Sequence, residues 1–246
     1  AIALAYVGEM VTRDLKIPIH FAFSYDEEIG CLGVSGLIQD IAANLPLPRA
    51  VIVGEPTEMQ LIGGNKGSRS FTAIVRGVPG HSSEPDRGAN AIIGASRLVA
   101  FLDDYQQELR ANADPDCPFD PPYTTFDIGL INGGTAANII PGECRVTWGF
   151  RMLPTDDSDA IEARVRAHAA EHIDPWMKKI APEAGVEIIR RNEVPPLIPD
   201  TDSPAEQLIR HLTGLNQSGV VAYGTEAGHF QQAGIPGVIF GPGSIK

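Results

Sequence analysis

Two hydrophobic rhythms divide the chain. Residues 1–15, AIALAYVGEMVTRDL, read as an amphipathic helix. IPIHFAFSY, residues 17–25, is a near-continuous apolar run, the pattern of a strand covered on both faces. GVSGLIQDIAANL reads as a helix and RAVIVGEPT as a second buried strand ending in a turn. Strand, helix and strand in this order predict a parallel sheet.

The rhythm changes at NKGSRSFTAIVRG, where residues 69–77 alternate like a strand with one solvated face. A long helix is expected from about Ala89 to Arg110, with Ile92, Ile93, Ser96, Val99 and Leu102 at helical spacing. TTFDIGLING and ECRVTWGFRML are two further strands, followed by a helix over about 158–180 and the strand GVEIIRR. This β-α-β-β-α-β order predicts a ferredoxin-like unit. The loop NADPDCPFDPP is rich in proline and aspartate and is expected at the surface. The α/β pattern then returns: a helix over 204–212, a buried strand SGVVAYG, a short helix EAGHFQQAG and a strand PGVIFGPG. The expected fold class is α/β: a parallel-type sheet domain (residues 1–65 and 195–246) interrupted by an inserted ferredoxin-like α+β domain (66–194).

Composition narrows the function. The 246 residues are 43% hydrophobic and 20% charged, as in a soluble globular protein. No apolar run is long enough to span a bilayer, and the first residues carry no basic leader or small-residue cleavage pattern, so neither a membrane nor a secretory signal is expected. Three widely spaced cysteines (Cys31, Cys117, Cys144) argue against a disulfide framework or cysteine-rich zinc site and mildly favour a reducing, cytoplasmic compartment. A net charge of −12 without a basic stripe speaks against nucleic-acid binding.

The acids carry the candidate chemistry. Asp26, Glu27 and Glu28 stand together just past the first apolar run; Glu55 follows the second strand and Glu226 a later one. Ligands of open parallel sheets bind at the carboxyl ends of strands, so four glutamates are expected to converge on one sheet edge. Each is alternatively a helix N-terminal acid favoured by the dipole. Adjacent carboxylates with a third at a matching strand end call for a shared cation. A two-metal hydrolase supplies one and needs a general base beside it; of two adjacent glutamates, one can bind metal while the other reaches the water.

In order along the chain, SYDEEIGCLG, VGEPT, KGSRSF, GHSSEPDRGANAI, GGTAANIIPGECRVTWGFRMLP and YGTEAGHFQQAGIPGVIFGPGSI resemble the M20 family of metallopeptidases. The resemblance implies Glu27 as general base, Glu28 as ligand of one metal and Glu55 as ligand of the other. It implies that His81, in GHSS, reaches the partner subunit's active site to support the oxyanion. Asn138 and Arg151 resemble substrate-binding residues, the arginine for a carboxylate, and Thr225 and Gly228 resemble residues shaping the pocket. The resemblance makes residues 1–65 and 195–246 the catalytic domain and the inserted residues 66–194 a lid (dimerisation) domain, and implies two Zn²⁺ per full-length subunit, with Co²⁺ as a substitute, and a homodimer formed through the lid. The implied activity is amide hydrolysis of an N-acyl amino acid. N-acetylornithine, and with it arginine biosynthesis, is favoured; succinyl-diaminopimelate, other N-acyl amino acids and dipeptides are alternatives. The family's early His-x-Asp motif, its bridging Asp and its last histidine are absent, and Asn65 stands where close relatives often have histidine. The chain therefore reads as truncated at both ends, and the 246 residues alone are expected to be metal-free and inactive. A non-catalytic, peptidase-like fragment is the contrasting reading.

Several features are set aside. HAAEH, residues 168–172, matches an inverzincin pattern but reads as the solvated face of a lid helix. His20 is expected in the core and His211 at the surface; His229, one turn after Glu226, is ambiguous. Cys31 and Ser35 have no paired base and no G-x-S-x-G elbow. GGTAAN lacks the lysine of a phosphate loop.

Overall fold

The computed structural model describes residues 2–245, which fall into two compact units divided between Pro46 and Leu47. The first unit contains α1 (Ile2–Met10) and α2 (Val34–Asn44). The sequence helix over 1–15 is thus shorter than expected, and its first residue lies outside the described ones. No strand forms over 17–25. Ile17, Ile19, Phe21, Phe23 and Tyr25 are exposed, and so is His20, which corrects the core assignment. A strand covered on both faces needs neighbours on both edges. Residues 17–25 have no ladder partner among the described residues.

The second unit holds two larger sheets. One comprises β1 (Val51–Val53), β2 (Ile62–Asn65), β9 (Gly219–Val221) and β10 (Gly237–Ile239), in the order β1-β10-β2-β9. β1 runs parallel to β10 and β2 parallel to β9, but β10 and β2 are antiparallel. The sheet is mixed rather than parallel. α6 (Pro204–Thr213) and α7 (Ala227–Gln232) belong to the same part of the chain. Ser203 caps α6 through the Glu206 amide at 3.2 Å, and Gly214 closes it at φ 75°.

The other sheet has β3 (Gly67–Arg76), β5 (Thr125–Gly133), β7 (Glu143–Met152) and β8 (Gly185–Val194), ordered β5-β7-β3-β8 and antiparallel throughout. That is the ferredoxin-like order expected from the sequence. Alternation along β7 sends Cys144, Val146, Trp148, Phe150 and Met152 inward, with Arg145 and Arg151 on the other face. Phe71 stacks on Trp148 with ring centroids 4.4 Å apart.

α3 (Ala91–Ala111) covers this sheet, capped by Asn90, whose side chain accepts the Ile92 and Ile93 amides. Its buried stripe is Ala91, Gly94, Ala95, Leu98, Leu102 and Tyr105. Ile92 and Ile93 are exposed instead, a shift of the expected face. Close approach explains it: a Cβ on Gly94 would lie 2.9 Å from Val75 and from Met177. The helix expected over 158–180 is α4 (Ser158–His168), a π-turn over Ala169–Ile173 and α5 (Asp174–Lys178). His168 stacks on Phe101 at 3.7 Å, so HAAEH is not simply a solvated face. A short ribbon, β4 (Gly80–His81) with β6 (Ile139–Ile140), completes the unit.

Candidate active-site residues

Glu27 and Glu28 sit in a tight turn of the first unit. Gly33 N–H closes its base on Tyr25 O at 3.1 Å, and the Glu27 carbonyl accepts the amides of Gly30 and Cys31 at 2.9 and 2.8 Å. Asp26 and Cys31 adopt left-handed φ values of 56° and 57°, costly for residues with a Cβ. The half-buried Glu27 carboxylate accepts the Cys31 thiol at 3.7 Å, while Glu28 is exposed.

Glu55 follows β1 in the second unit and is half-buried. Burial, and then the Glu55 carboxylate, push the Tyr223 phenol above its usual range. β1 and β9 run in opposite directions in the mixed sheet, yet Tyr223, just past β9, lies close enough to Glu55 to feel its charge. The strands are only three residues long, about 10 Å, so their ends stay near one another.

The β4–β6 ribbon joins His81 and Asn138. His81 pairs with Ile139, and Ser82 N–H donates to the Asn138 carbonyl at 3.0 Å. His81 Nδ1 lies 2.7 Å from Ser83 Oγ and accepts the Ser83 amide at 3.2 Å. A backbone amide can only donate, so the proton of the neutral ring resides on Nε2. The exposed imidazole thus offers an N–H donor. Beside it an open groove of about 600 Å³ is lined by Ser82, Asn90, Ile92, Gly134 and Ile140 among others.

Arg151 is exposed on the outer face of β7, opposite Ser68 and Thr125. Thr225 is wholly buried: its hydroxyl donates to Asn65 Oδ1 and accepts the Ala227 amide, both at 3.2 Å. Gly228 is buried against the Pro195 carbonyl, where a Cβ would come within 2.2 Å. Both residues act here through packing and hydrogen bonding rather than by lining an open pocket.

Sequence reasoning missed two buried cations. Lys66 is fully buried and donates to the Pro121 and Tyr123 carbonyls, each at 2.7 Å, which pins the proline-rich loop inward. Burial pushes its ammonium below the ordinary lysine range; nearby Cys117, Asp156 and Asp120 oppose that and Arg151 adds to it. Arg69 lies in phase with Phe71, Ala73 and Val75 and bonds Asp159, Glu162 and Glu193 at 2.7, 3.2 and 2.8 Å. An arginine in the inward phase of an apolar strand was the available signal.

Among the described residues, no group of three or more His, Cys, Asp or Glu able to hold a metal ion is assembled. Zinc takes three or four protein ligands. The described residues therefore do not complete a metal site. Likewise, no described helix is long and apolar enough to cross a membrane.

Comparison with known proteins gives these residues relatives. Residues 63–177 match the M20 peptidase dimerisation domain. An acetylornithine deacetylase of Myxococcus xanthus is 32% identical over 245 residues, covering 100% of this chain and 62% of that protein. Residues 63–177 are thus similar to an M20 dimerisation domain, and the whole chain is similar to acetylornithine deacetylases. A second relative, an acetylornithine deacetylase of Proteus mirabilis, is 33% identical over 236 residues, covering 96% of this chain and 58% of that protein. This chain spans about three fifths of the length of these curated relatives. Its fold is shared with a tripeptidase from Staphylococcus aureus (TM-score 0.64, 18% identity, 89% of this chain and 54% of that one). An M20 metallo-carboxypeptidase from Sulfolobus solfataricus also shares it (TM-score 0.59, 17% identity, 87% and 60%).

Proposed function

We propose that this chain is part of an M20 deacylase that hydrolyses the amide of an N-acyl amino acid, with N-acetylornithine as substrate and arginine biosynthesis as its setting in the cytoplasm. The observation that carries the reading is that relatives named acetylornithine deacetylase align with the whole chain at about 30% identity. In this reading Glu27 takes a proton from the attacking water and returns it to the leaving amine. His81 donates its Nε2–H to the oxyanion in the partner subunit's site, which favours the transition state over the ground state. Arg151 pairs with the substrate carboxylate, Asn138 adds a polar contact beside His81, and Thr225 and Gly228 hold the pocket wall from behind. Glu28 and Glu55 are donors toward the zinc (two ions per full-length subunit) that the family reading carries; the described residues do not complete that site.

Residues 1–65 and 195–246 are read as the catalytic domain and 66–194 as the lid. The sharing of one sheet by β1, β2, β9 and β10 supports this division. The lid is read as the dimerisation surface, supported by exposed Ile92 and Ile93 on α3 and by exposed Leu130 and Ile131 on the edge strand β5.

The test is hydrolysis of N-acetylornithine by the longest natural chain with zinc or cobalt supplied, beside its Glu27→Gln variant. The variant is expected to lose about 100-fold or more in kcat. Activity that survives the change removes Glu27 as the base. A wild-type protein inert toward every N-acyl amino acid overturns the reading in favour of a non-catalytic protein.

A further inference from the structure

Glu226 stands at the head of α7 with only 9% of its surface exposed. Its Oε1 is shielded from solvent and has no hydrogen-bond partner among the described residues. The side chain makes no cap bond to the amides of α7. A helix of six residues is a weak substitute for a cation. A carboxylate withdrawn from water and left unpaired is among the costliest arrangements a fold can keep, and a functional role is one standing reason to keep it.

The surroundings do not supply the missing charge. Next to Glu226, Thr225 bonds Asn65, and Asn65 bonds the Lys66 carbonyl at 2.8 Å. The Lys66 ammonium is engaged by the carbonyls of Pro121 and Tyr123. His229, one helical turn after Glu226, has a shielded Nε2 that is likewise without a partner. Burial pushes its imidazole below the ordinary value, and the Glu193 charge only opposes that, so the ring is neutral near pH 7. The Glu226 Oε1 and the His229 Nε2 thus stand one turn apart, each shielded and without a hydrogen-bond partner among the described residues.

The same contacts lead toward Arg151, which lies close enough to Lys66 to act on its charge. Successive contacts thus link the exposed Arg151 through Lys66, Asn65 and Thr225 to Glu226, whose Oε1 is unpartnered among the described residues. An Nα-acyl amino acid has lost its α-ammonium to the acyl group. Its carboxylate matches Arg151. A positive charge to match Glu226 has to come from the side chain.

We propose that Glu226 is a specificity-determining residue that receives the side-chain ammonium of an N-acylated basic amino acid, with His229 as second acceptor. The proposal rests on the deacylase reading above and adds the residue that recognises the substrate's side chain. A site that keeps a buried polar group for one partner discriminates strongly against the analogue lacking that partner.

The experiment compares kcat/KM for Nα-acetyl-L-ornithine and for Nα-acetyl-L-norleucine, in which a methyl group replaces the ammonium, using the longest natural chain loaded with zinc. Wild type is expected to favour the ornithine compound by about 100-fold. Glu226→Gln, isosteric and uncharged, should cut that preference to below about tenfold by losing only the ornithine activity. Its urea midpoint should be unchanged or higher, since a buried charge is removed. Equal loss on both substrates, or a wild type that does not discriminate, overturns the assignment and leaves the deacylase reading standing. Calorimetric titration with L-ornithine and L-norleucine tests the assignment without turnover. A loss of tenfold or more in ornithine affinity confined to Glu226→Gln supports it, and equal affinity in both proteins overturns it.

Discussion

The antiparallel sheet β5-β7-β3-β8 and residues 17–25 are both rich in aromatic and β-branched side chains, yet they meet different fates. In the sheet, Phe71, Trp148 and Phe150 lie under α3 with almost no exposure. In the segment, Phe23 is 72% exposed and Tyr25 70%. Local composition does not distinguish them. The sheet strands find each other within about 130 residues and share a helix cover. The segment's pattern asks for edge partners that the described residues do not provide. Apolar content gives a segment the capacity to be a core strand, and pairing decides whether it becomes one.

The largest test of this contrast is truncation of one residue on each side. Leu98→Ala, beneath α3, should cost about 3–5 kcal/mol in urea unfolding of the 246-residue chain. Phe23→Ser should cost no more than about 0.5 kcal/mol. A cost above about 2 kcal/mol for Phe23→Ser would show that residues 17–25 are covered in solution and would collapse the contrast.

A smaller effect sharpens the sheet side. Arg69→Met strips one cation from the buried Glu162 but leaves Arg166 and Arg190, which bond it at 2.8 and 2.5 Å. The expected loss is about 2–3 kcal/mol, below the ~3–5 kcal/mol of a lone buried pair, because those two arginines remain. An unchanged or raised stability would mean that apolar packing serves this position as well as charge does.

These residues also show what the sequence made legible. The strand order of the lid was readable because long strands of nine or ten residues carry a period-2 signal. The face of α3 was not, because its packing side is made of small residues. Weighting by hydrophobicity selected Ile92 and Ile93 over Ala91, Gly94 and Ala95, which allow the close approach. β2 turned a parallel sheet into a mixed one, and a four-residue strand carries no direction in its composition. At the site, His81, Asn138 and Arg151 were named from motifs. What joins His81 to Asn138 is a ribbon of two-residue strands, too short for any period. Lys66, buried within GGNKGS, went unremarked because lysine is almost never fully buried unless it is paired, and its partners are carbonyls 55 and 57 residues away.

The outer edge of the sheet gives the next test. Ile131→Glu, on the exposed part of β5, should weaken a lid-mediated dimer by about 1–2 kcal/mol, roughly tenfold in Kd, without unfolding the lid. Sedimentation across a concentration series reads it. A monomeric full-length wild type at high concentration would remove both the dimer and the role of His81 across subunits.

The smallest expected effect is on pH dependence. Burial holds the imidazoles of His168 and His229 below their ordinary value, with the neighbouring His172 adding to the effect at His168. The unfolded chain then binds more protons than the folded one at these residues, so stability is intact above pH 6.5 and declines as pH falls below it. For Glu162, burial raises the carboxyl, but the hydrogen bonds of Arg166 and Arg190 outweigh it and hold it below the usual glutamate range. Its contribution is present above pH 4.5 and is lost as pH falls through the depressed folded value. Urea midpoints measured from pH 8 to pH 3 should therefore step down twice. His168→Gln should shrink the first step, leaving the part due to His229, and Arg190→Gln should shrink the second. A first step untouched by His168→Gln would mean that the Phe101–His168 stack opens in solution, and that the π-turn beside it is not packed as the fold requires.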